Sequence, residues 1–397
     1  MKTLFDLRAK ADSQLFEAIQ SLYDEPLKMI RLGDQPITAC RGCWNCWLKT
    51  PGQCVIKDQM AESYRDYVNS DTVILLMDTA QGFINHQAKA FLDRTIPHYH
   101  PYIEIVDGEC HHVARYQRYP DLAFYYDQEG LTDLEGQIIE DYLYRTAYHF
   151  RSKAYRIKKV DNLKLVPLEP RKPGNGNVAF ASADPLNKLV IYSGSPRRSR
   201  SNSGEILKKV SEALGDRVEI RDLKERDKWG EWSEAFKQER DVMFFMPLYV
   251  HAMPSHVMDF IERLEASAGS ISFFIQSGFP ESSQSHYLEA YFEQLALRLG
   301  RTYLGTAIKG GVEGMQMRTA EARGKMIAPM VRAIDTLASE GRYDPKELQK
   351  LAMPVRFGLF VVVIFRLLAR LGLVNSFWDK QLKENNAFDL SFDRPYG

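Results

Sequence analysis

The chain has no surplus of charge of either sign, with 52 Lys and Arg against 52 Asp and Glu in 397 residues. Wrapping nucleic acid or an anionic surface takes a basic excess, so nucleic acid is excluded as a main partner and membrane contact is not expected. No Lys-Ser/Thr follows a glycine loop and no G-x-G-x-x-G occurs, which argues against a nucleoside triphosphate and a dinucleotide fingerprint. A Ser-His-Asp set and a paired-carboxylate signature are also missing. The N-terminus, MKTLFDLRAKADSQLF, lacks the unbroken apolar core of a signal peptide. The longest apolar stretch, Phe357–Val374, is broken by Arg366 and Arg370 and is marginal in length for a bilayer. A cytoplasmic protein is expected. The 45% of hydrophobic residues is ordinary for a globular chain, and the length suits two or three domains.

Two stretches about half a chain apart are alike: SDTVILLMDTAQGFINHQAKAFLDR at 70–94 and RDVMFFMPLYVHAMPSHVMDFIER at 240–263. Each has an Asp, a buried-strand run, a loop and a helix, pairing Asp71 with Asp241 and Phe91 with Phe260. Their placement favours duplication of a whole domain. In the second copy, strands are expected at 188–192, 217–222, 241–246, 271–276 and 302–309, with helices around 202–214, 254–266, 283–299 and 318–338. Strands alternating with helices imply a parallel sheet covered on both faces, and five strands suit a flavodoxin-like doubly wound domain of order 2-1-3-4-5. The first copy offers strands at 2–6, 27–32, 72–78 and near 153–158, interrupted by a Tyr- and His-rich insertion over 97–150. The expected domains are therefore 1–160, a Pro/Gly-rich linker 161–187, a second domain 188–339 and a helical extension 340–397.

Directly after the first strand of the second copy comes Ser193-Gly194-Ser195-Pro196-Arg197, then Ser201-Asn202-Ser203 and a helix. Hydroxyls, free backbone N–H groups and a helix N-terminus are what a phosphate monoester needs. An N-capped turn that merely starts the helix is the simpler alternative. GSPR followed by SNS, then PLYVHAMPSH after the third strand and QSGFPE after the fourth, resembles the NADPH-dependent FMN reductases of the flavodoxin-like superfamily. The resemblance implies FMN at the carboxyl ends of the strands. Gly194, Ser195, Pro196, Arg197, Ser201, Asn202 and Ser203 would hold its phosphate. Pro247, Leu248, Tyr249, Val250 and Met253 would edge the isoalloxazine, and Ser277, Gly278 and Phe279 would flank its other side. His251, His256 and His286 lie in or near these loops; one could hydrogen-bond flavin or substrate, and a satisfied surface histidine is the simpler reading.

Four of the five cysteines fall together as Cys40-x2-Cys43-x2-Cys46-x7-Cys54. Four thiolates on a tight loop suit an iron–sulfur cluster; zinc, or plain structural or redox-active thiols, stay open. The segment, with Asp58 after it, resembles the cluster loop of the iron–sulfur flavoproteins, which implies a 4Fe–4S centre on Cys40, Cys43, Cys46 and Cys54. The first copy has no phosphate loop: Asp6 and Asp12 stand where an anion would sit, and no FMN is expected there. Family geometry implies that the cysteine loop lies near the flavin.

The histidines at 86, 98, 100, 111 and 112, with Cys110, offer metal ligands, but they are read as part of a polar insertion loop that covers the active site, with no catalytic role. FGLFVVVIFRLLARLGLV is read as a buried helix packed in the core or between domains, with a membrane surface as the second reading. Together these features point to an FMN-dependent NAD(P)H oxidoreductase. It would pass electrons to the iron–sulfur centre, to a small acceptor such as a quinone or free flavin, or to a redox protein partner. It would act as a monomer or homodimer. A flavodoxin-like carrier that never turns over nicotinamide is the alternative.

Overall fold

The computed structural model describes residues 1–157, 166–169, 181–197 and 201–397. Most of the expected linker, and Arg198, Ser199 and Arg200 of the serine-rich loop, lie outside the described residues. The chain divides into two compact units, Met1–Lys172 with Gly358–Gly397, and Pro173–Phe357.

The apolar runs of the first unit become strands where turn residues bound them. Its elements are β1 (Lys2–Asp6), α1 (Ser13–Gln20), β2 (Lys28–Arg31), α2 (Asn45–Leu48), α3 (Gln59–Asn69), β3 (Thr72–Met77), a small pair β4 (Thr79–Ala80) and β5 (Phe83–Ile84), and α4 (His86–Asp93). A hairpin of β6 (Tyr99–Val106) and β7 (Glu109–Ala114) follows, then β8 (Asp121–Tyr126), α5 (Asp133–His149), β9 (Ala154–Ile157) and β10 (Val166–Pro167). The sheet order is β10-β9-β8-β3-β1-β2. Only the β9–β10 pairing is antiparallel. Taken in chain order, the parallel strands read 2-1-3-4-5, the flavodoxin-like arrangement.

The stretch 97–150 is not a polar loop. Its β8 is the fourth parallel strand, and it is buried from Leu122 to Tyr126 against β3. Helix α5 starts at a capping box in which Thr132 and Glu135 satisfy each other's backbone N–H. His98, His100 and His111 are buried.

The second unit runs β11 (Leu189–Ser193), α6 (Asn202–Leu214), β12 (Val218–Asp222), α7 (Trp229–Phe236), β13 (Asp241–Pro247), α8 (Ser255–Ile261), β14 (Ser270–Gln276), α9 (Ser283–His286), α10 (Leu288–Arg298), β15 (Thr302–Lys309), α11 (Ala320–Glu340) and α12 (Pro345–Leu351). The order is β12-β11-β13-β14-β15, parallel throughout, which is again 2-1-3-4-5. Strand β14 is buried along its whole length and β13 from Asp241 to Met246, the pattern of strands covered on both faces. The duplication read from the sequence holds in packing. Phe91 of α4 lies on Phe5 of β1 with ring centroids 5.1 Å apart, and Phe260 of α8 lies on Tyr192 of β11 at 5.2 Å.

After α12 the chain returns to the first unit as α13 (Leu359–Arg370) and α14 (Ser376–Glu384). Trp378 of α14 packs on Trp44 and Trp47, in a cluster with Cys46 and Tyr102. Helix α13, expected to be buried, has no buried residue at all.

Candidate functional site

Two sites stand out, one in each unit. In the second unit, the loops that leave β11, β13, β14 and β15 are tied together at the carboxyl edge of the sheet. Gly194 N–H donates to Phe245 O at 2.8 Å, Leu248 N–H to Gln276 O at 2.8 Å, and Ser277 N–H to Lys309 O at 2.9 Å. Asn202 Nδ2 donates to Val312 O at 3.0 Å, and Gln276 Nε2 to Ser203 Oγ at 2.6 Å. The edge therefore holds one connected floor built from the three loops that the sequence singled out and a fourth, after β15. Gly194 has to be glycine, because a Cβ there would sit 2.5 Å from Val257 Cγ2 and 2.9 Å from Met246 Cβ.

Ser201 caps α6 by accepting from Gly204 N–H at 3.2 Å, and its hydroxyl lies 2.8 Å from that of Ser195. The two hydroxyls and the first turn of α6 thus converge, as an anion cradle requires. Arg197 bonds Glu313 Oε1 at 3.1 Å, while Lys224 Nζ donates to Arg197 O at 2.9 Å. Burial pushes the Glu313 carboxyl up, with Arg197 pulling the other way. Sequence reasoning missed Lys224, Gln276 and this fourth loop, although the Gly310-Gly311 pair that opens it was a readable signal. A Cβ at Gly310 would meet Pro280 O at 2.1 Å.

The Leu248–Met253 loop is a tight turn. Tyr249 and Ala252 exchange backbone hydrogen bonds of 2.9 and 3.0 Å, and both residues between them are left-handed, Val250 at φ 38° and His251 at φ 58°. A β-branched residue in that region is strained, and such strain gathers at functional loops. Pro247, Leu248, Tyr249, Val250 and Phe279 are part-exposed, Pro196 and Arg197 likewise, and Gly278 is exposed. Met253 is buried beneath the turn, and Ser277, whose Oγ donates to Phe279 O at 3.0 Å, is buried beside it.

At the matching edge of the first unit, carboxylates take the backbone and cationic donors. Asp6 accepts from Arg8 Nε at 3.1 Å and Arg31 Nη1 at 2.8 Å, and Asp78 accepts from Ala9 N–H at 2.8 Å.

The cysteine loop joins β2 to α3. Left-handed backbone at Gly42, Trp44 and Gly52 lets it fold back on itself. Cys46 lies within electrostatic reach of Cys40, Cys43 and Cys54. Burial pushes the Cys40 thiol up to about 12 and that of Cys46 well above the usual range.

Cations surround the thiols. Arg94, 1% exposed, bonds Asp58 Oδ2 at 2.5 Å and directs Nη2 to Cys54 Sγ at 3.7 Å. Asp58 is held below the usual carboxylate range by Arg94, against its own desolvation. Arg115, also 1% exposed, donates to the carbonyls of Pro97, Ser391 and Asp393. Its Nη2 has no hydrogen-bond partner among the described residues, and its charge acts on Cys46. A buried guanidinium with an orphaned nitrogen beside a thiol calls for an anion. The donor set therefore fits a thiolate-bound cluster of net negative charge.

A third cluster includes His111, which the sequence reading weighed as a metal ligand and set aside, with Glu109 and His149, which it did not name. Glu109, His111 and His149 offer ligand atoms within 4.8 Å of one another. Arg145 already bonds Glu109 Oε2 at 2.9 Å and lies 3.4 Å from His149 Nε2, so a cation is in place there.

The strand orders define a pair of flavodoxin-like units, one bearing a four-cysteine loop and the other a hydroxyl-rich loop at the start of α6. No family model matches the chain. An iron–sulfur flavoprotein of Archaeoglobus fulgidus is 32% identical over 92 residues, 23% of this chain and 41% of that protein. The chain thus spans about two-fifths of the length of the curated relative it matches. Similar solved structures include an NADPH-quinone reductase of P. pentosaceus, 13% identical over 36% of this chain and 94% of its own, with a TM-score of 0.29. An FMN-dependent NADH-azoreductase of Bacillus anthracis in complex with FMN is 14% identical over 38% of this chain and 100% of its own, with a TM-score of 0.30.

Proposed function

We propose that the second unit binds FMN and oxidises NAD(P)H, and that the electrons leave to a 4Fe–4S cluster on Cys40, Cys43, Cys46 and Cys54 or to a small acceptor. The observation that carries this reading is the convergence of four strand-end loops on one floor, with the Ser195–Ser201 hydroxyl pair at the start of α6. Bound FMN would supply the chemistry that couples a two-electron donor to a one-electron acceptor.

The protein's part is binding and orientation. Gly194 to Arg197 and Ser201 to Ser203 present hydroxyls and backbone N–H groups to the phosphate, beside Lys224 and Arg197, which are paired with Asp222 and Glu313. Pro247 to Val250 offer an edge for the ring, Met253 packs beneath that edge, and Ser277, Gly278 and Phe279 line the opposite side. In the first unit, Arg94 and Arg115 offset the negative charge that four thiolates bring into a buried site.

The test is to load the full chain with FMN anaerobically, add NADPH or NADH, and follow bleaching of the flavin absorbance. Rapid bleaching with either nucleotide supports an NAD(P)H oxidoreductase. Retention of FMN with no bleaching by either would leave a flavodoxin-like carrier between protein partners.

A further inference from the structure

Helix α13 presents an apolar surface to solvent that no element of its unit covers among the described residues. Leu359 is 84% exposed, Phe360 77%, Val363 60% and Leu367 58%, and Leu371 continues the same side. At about 100° per residue these five side chains fall on one arc of the helix. Val362 and Phe365, both half-buried, mark the side turned toward the protein. Arg366 and Arg370, four residues apart, run along one border of the exposed arc, and both are exposed. Neither has an ion-pair partner among the described residues.

We infer that α13 is a membrane-surface helix that inserts its apolar arc among the headgroups of a bilayer containing anionic lipid. Three observations favour lipid. The helix is 12 residues long, about 18 Å at the usual rise, so it cannot cross a hydrocarbon core of about 30 Å. No helix of the described residues is long and apolar enough to cross a membrane. It can still lie in the interface with its arginines reaching the phosphates.

Second, charge selects against a second copy of the chain. A two-fold dimer would bring the same patch of each copy together, so four arginines, Arg366 and Arg370 of each copy, would share one apolar interface. Residues 351–378 contain no Asp or Glu to compensate them. Anionic headgroups supply the missing charge. Third, the exposed arc also takes in Val361, Ile364 and Leu368, which makes it broader than the narrow seam two packed helices share. The inference is independent of the redox reading above.

The test uses the full chain and sedimentation with vesicles of phosphatidylcholine alone or with added phosphatidylglycerol. Binding is expected to the anionic vesicles and to weaken with salt. Val363→Glu with Leu367→Glu should lower it at least tenfold. Neither residue is buried, so the variant should keep the parent melting temperature. Arg366→Gln and Arg370→Gln should each cost about fivefold on anionic vesicles, the effect of one basic residue near such a surface, and little on neutral ones. No binding to either vesicle, or binding that V363E/L367E leaves unchanged, would overturn the inference. So would a lipid-free dimer, seen by sedimentation velocity, that the same double variant abolishes.

Discussion

Gly194 and His98 carry steric and electrostatic demands that can be tested one side chain at a time. An Ala at 194 would force its Cβ into Val257 and Met246, the kind of overpacking that costs about 1–3 kcal/mol. Gly194→Ala should weaken FMN binding at least tenfold in a fluorescence-quenching titration, while the sheet still forms. His98 is enclosed by Tyr64, Tyr67, Tyr116 and Tyr396, and neither ring nitrogen has a partner among the described residues. Burial pushes it down to about 3. It stays neutral in the folded chain, while an unfolded histidine takes up a proton below about 6.5. Its contribution is therefore whole above that pH and is lost as the pH falls from 6.5 toward 3. His98→Phe should flatten the loss of stability over that window by up to about 1.4 kcal/mol per pH unit, read from denaturant melts at several pH values. An unchanged slope would refute the assignment. Sequence logic found Gly194, because a glycine between a strand and a capped helix is a local signal. It read His98 as part of a polar loop, because its burial depends on tyrosines brought from three distant segments.

At the scale of elements, the Tyr249–Ala252 turn and the roof of the cysteine loop make different demands. The turn holds Val250 at φ 38°, a conformation that costs a β-branched residue of order 1–3 kcal/mol. Val250→Gly should raise the melting temperature of the FMN-free chain by about 2–4 °C while weakening FMN binding, since it relieves strain and removes a ring contact together. In the first unit, Trp378 closes over Trp44, Trp47 and Cys46. Trp378→Ala should cost about 3–5 kcal/mol, and it should speed the reaction of Cys46 with a disulfide reagent in the metal-free protein. The cysteine spacing was legible because four thiols in one loop are a local pattern. The roof was not, since α14 reaches it from more than three hundred residues along the chain.

At the scale of the whole molecule, nine of the ten parallel strands were readable, because apolar runs bounded by turn residues are short-range features. The missing one, β8, hid in a Tyr-rich run whose aromatic content reads equally well as a loop, and without it the first sheet looked ragged. The path of the final forty residues was beyond sequence logic. Nothing local tells a C-terminal extension of the second unit from a segment that rejoins the first, and the exposure of α13 follows from that path. The central claim is a division of labour, with flavin chemistry in the second unit and a thiolate-bound cluster in the first. Its most direct test is the FMN and iron content of the full chain purified without oxygen. The account predicts about one FMN and about four irons per chain, with iron lost in Cys43→Ser while FMN is retained. A colourless chain that takes up neither FMN nor iron on reconstitution would contradict it.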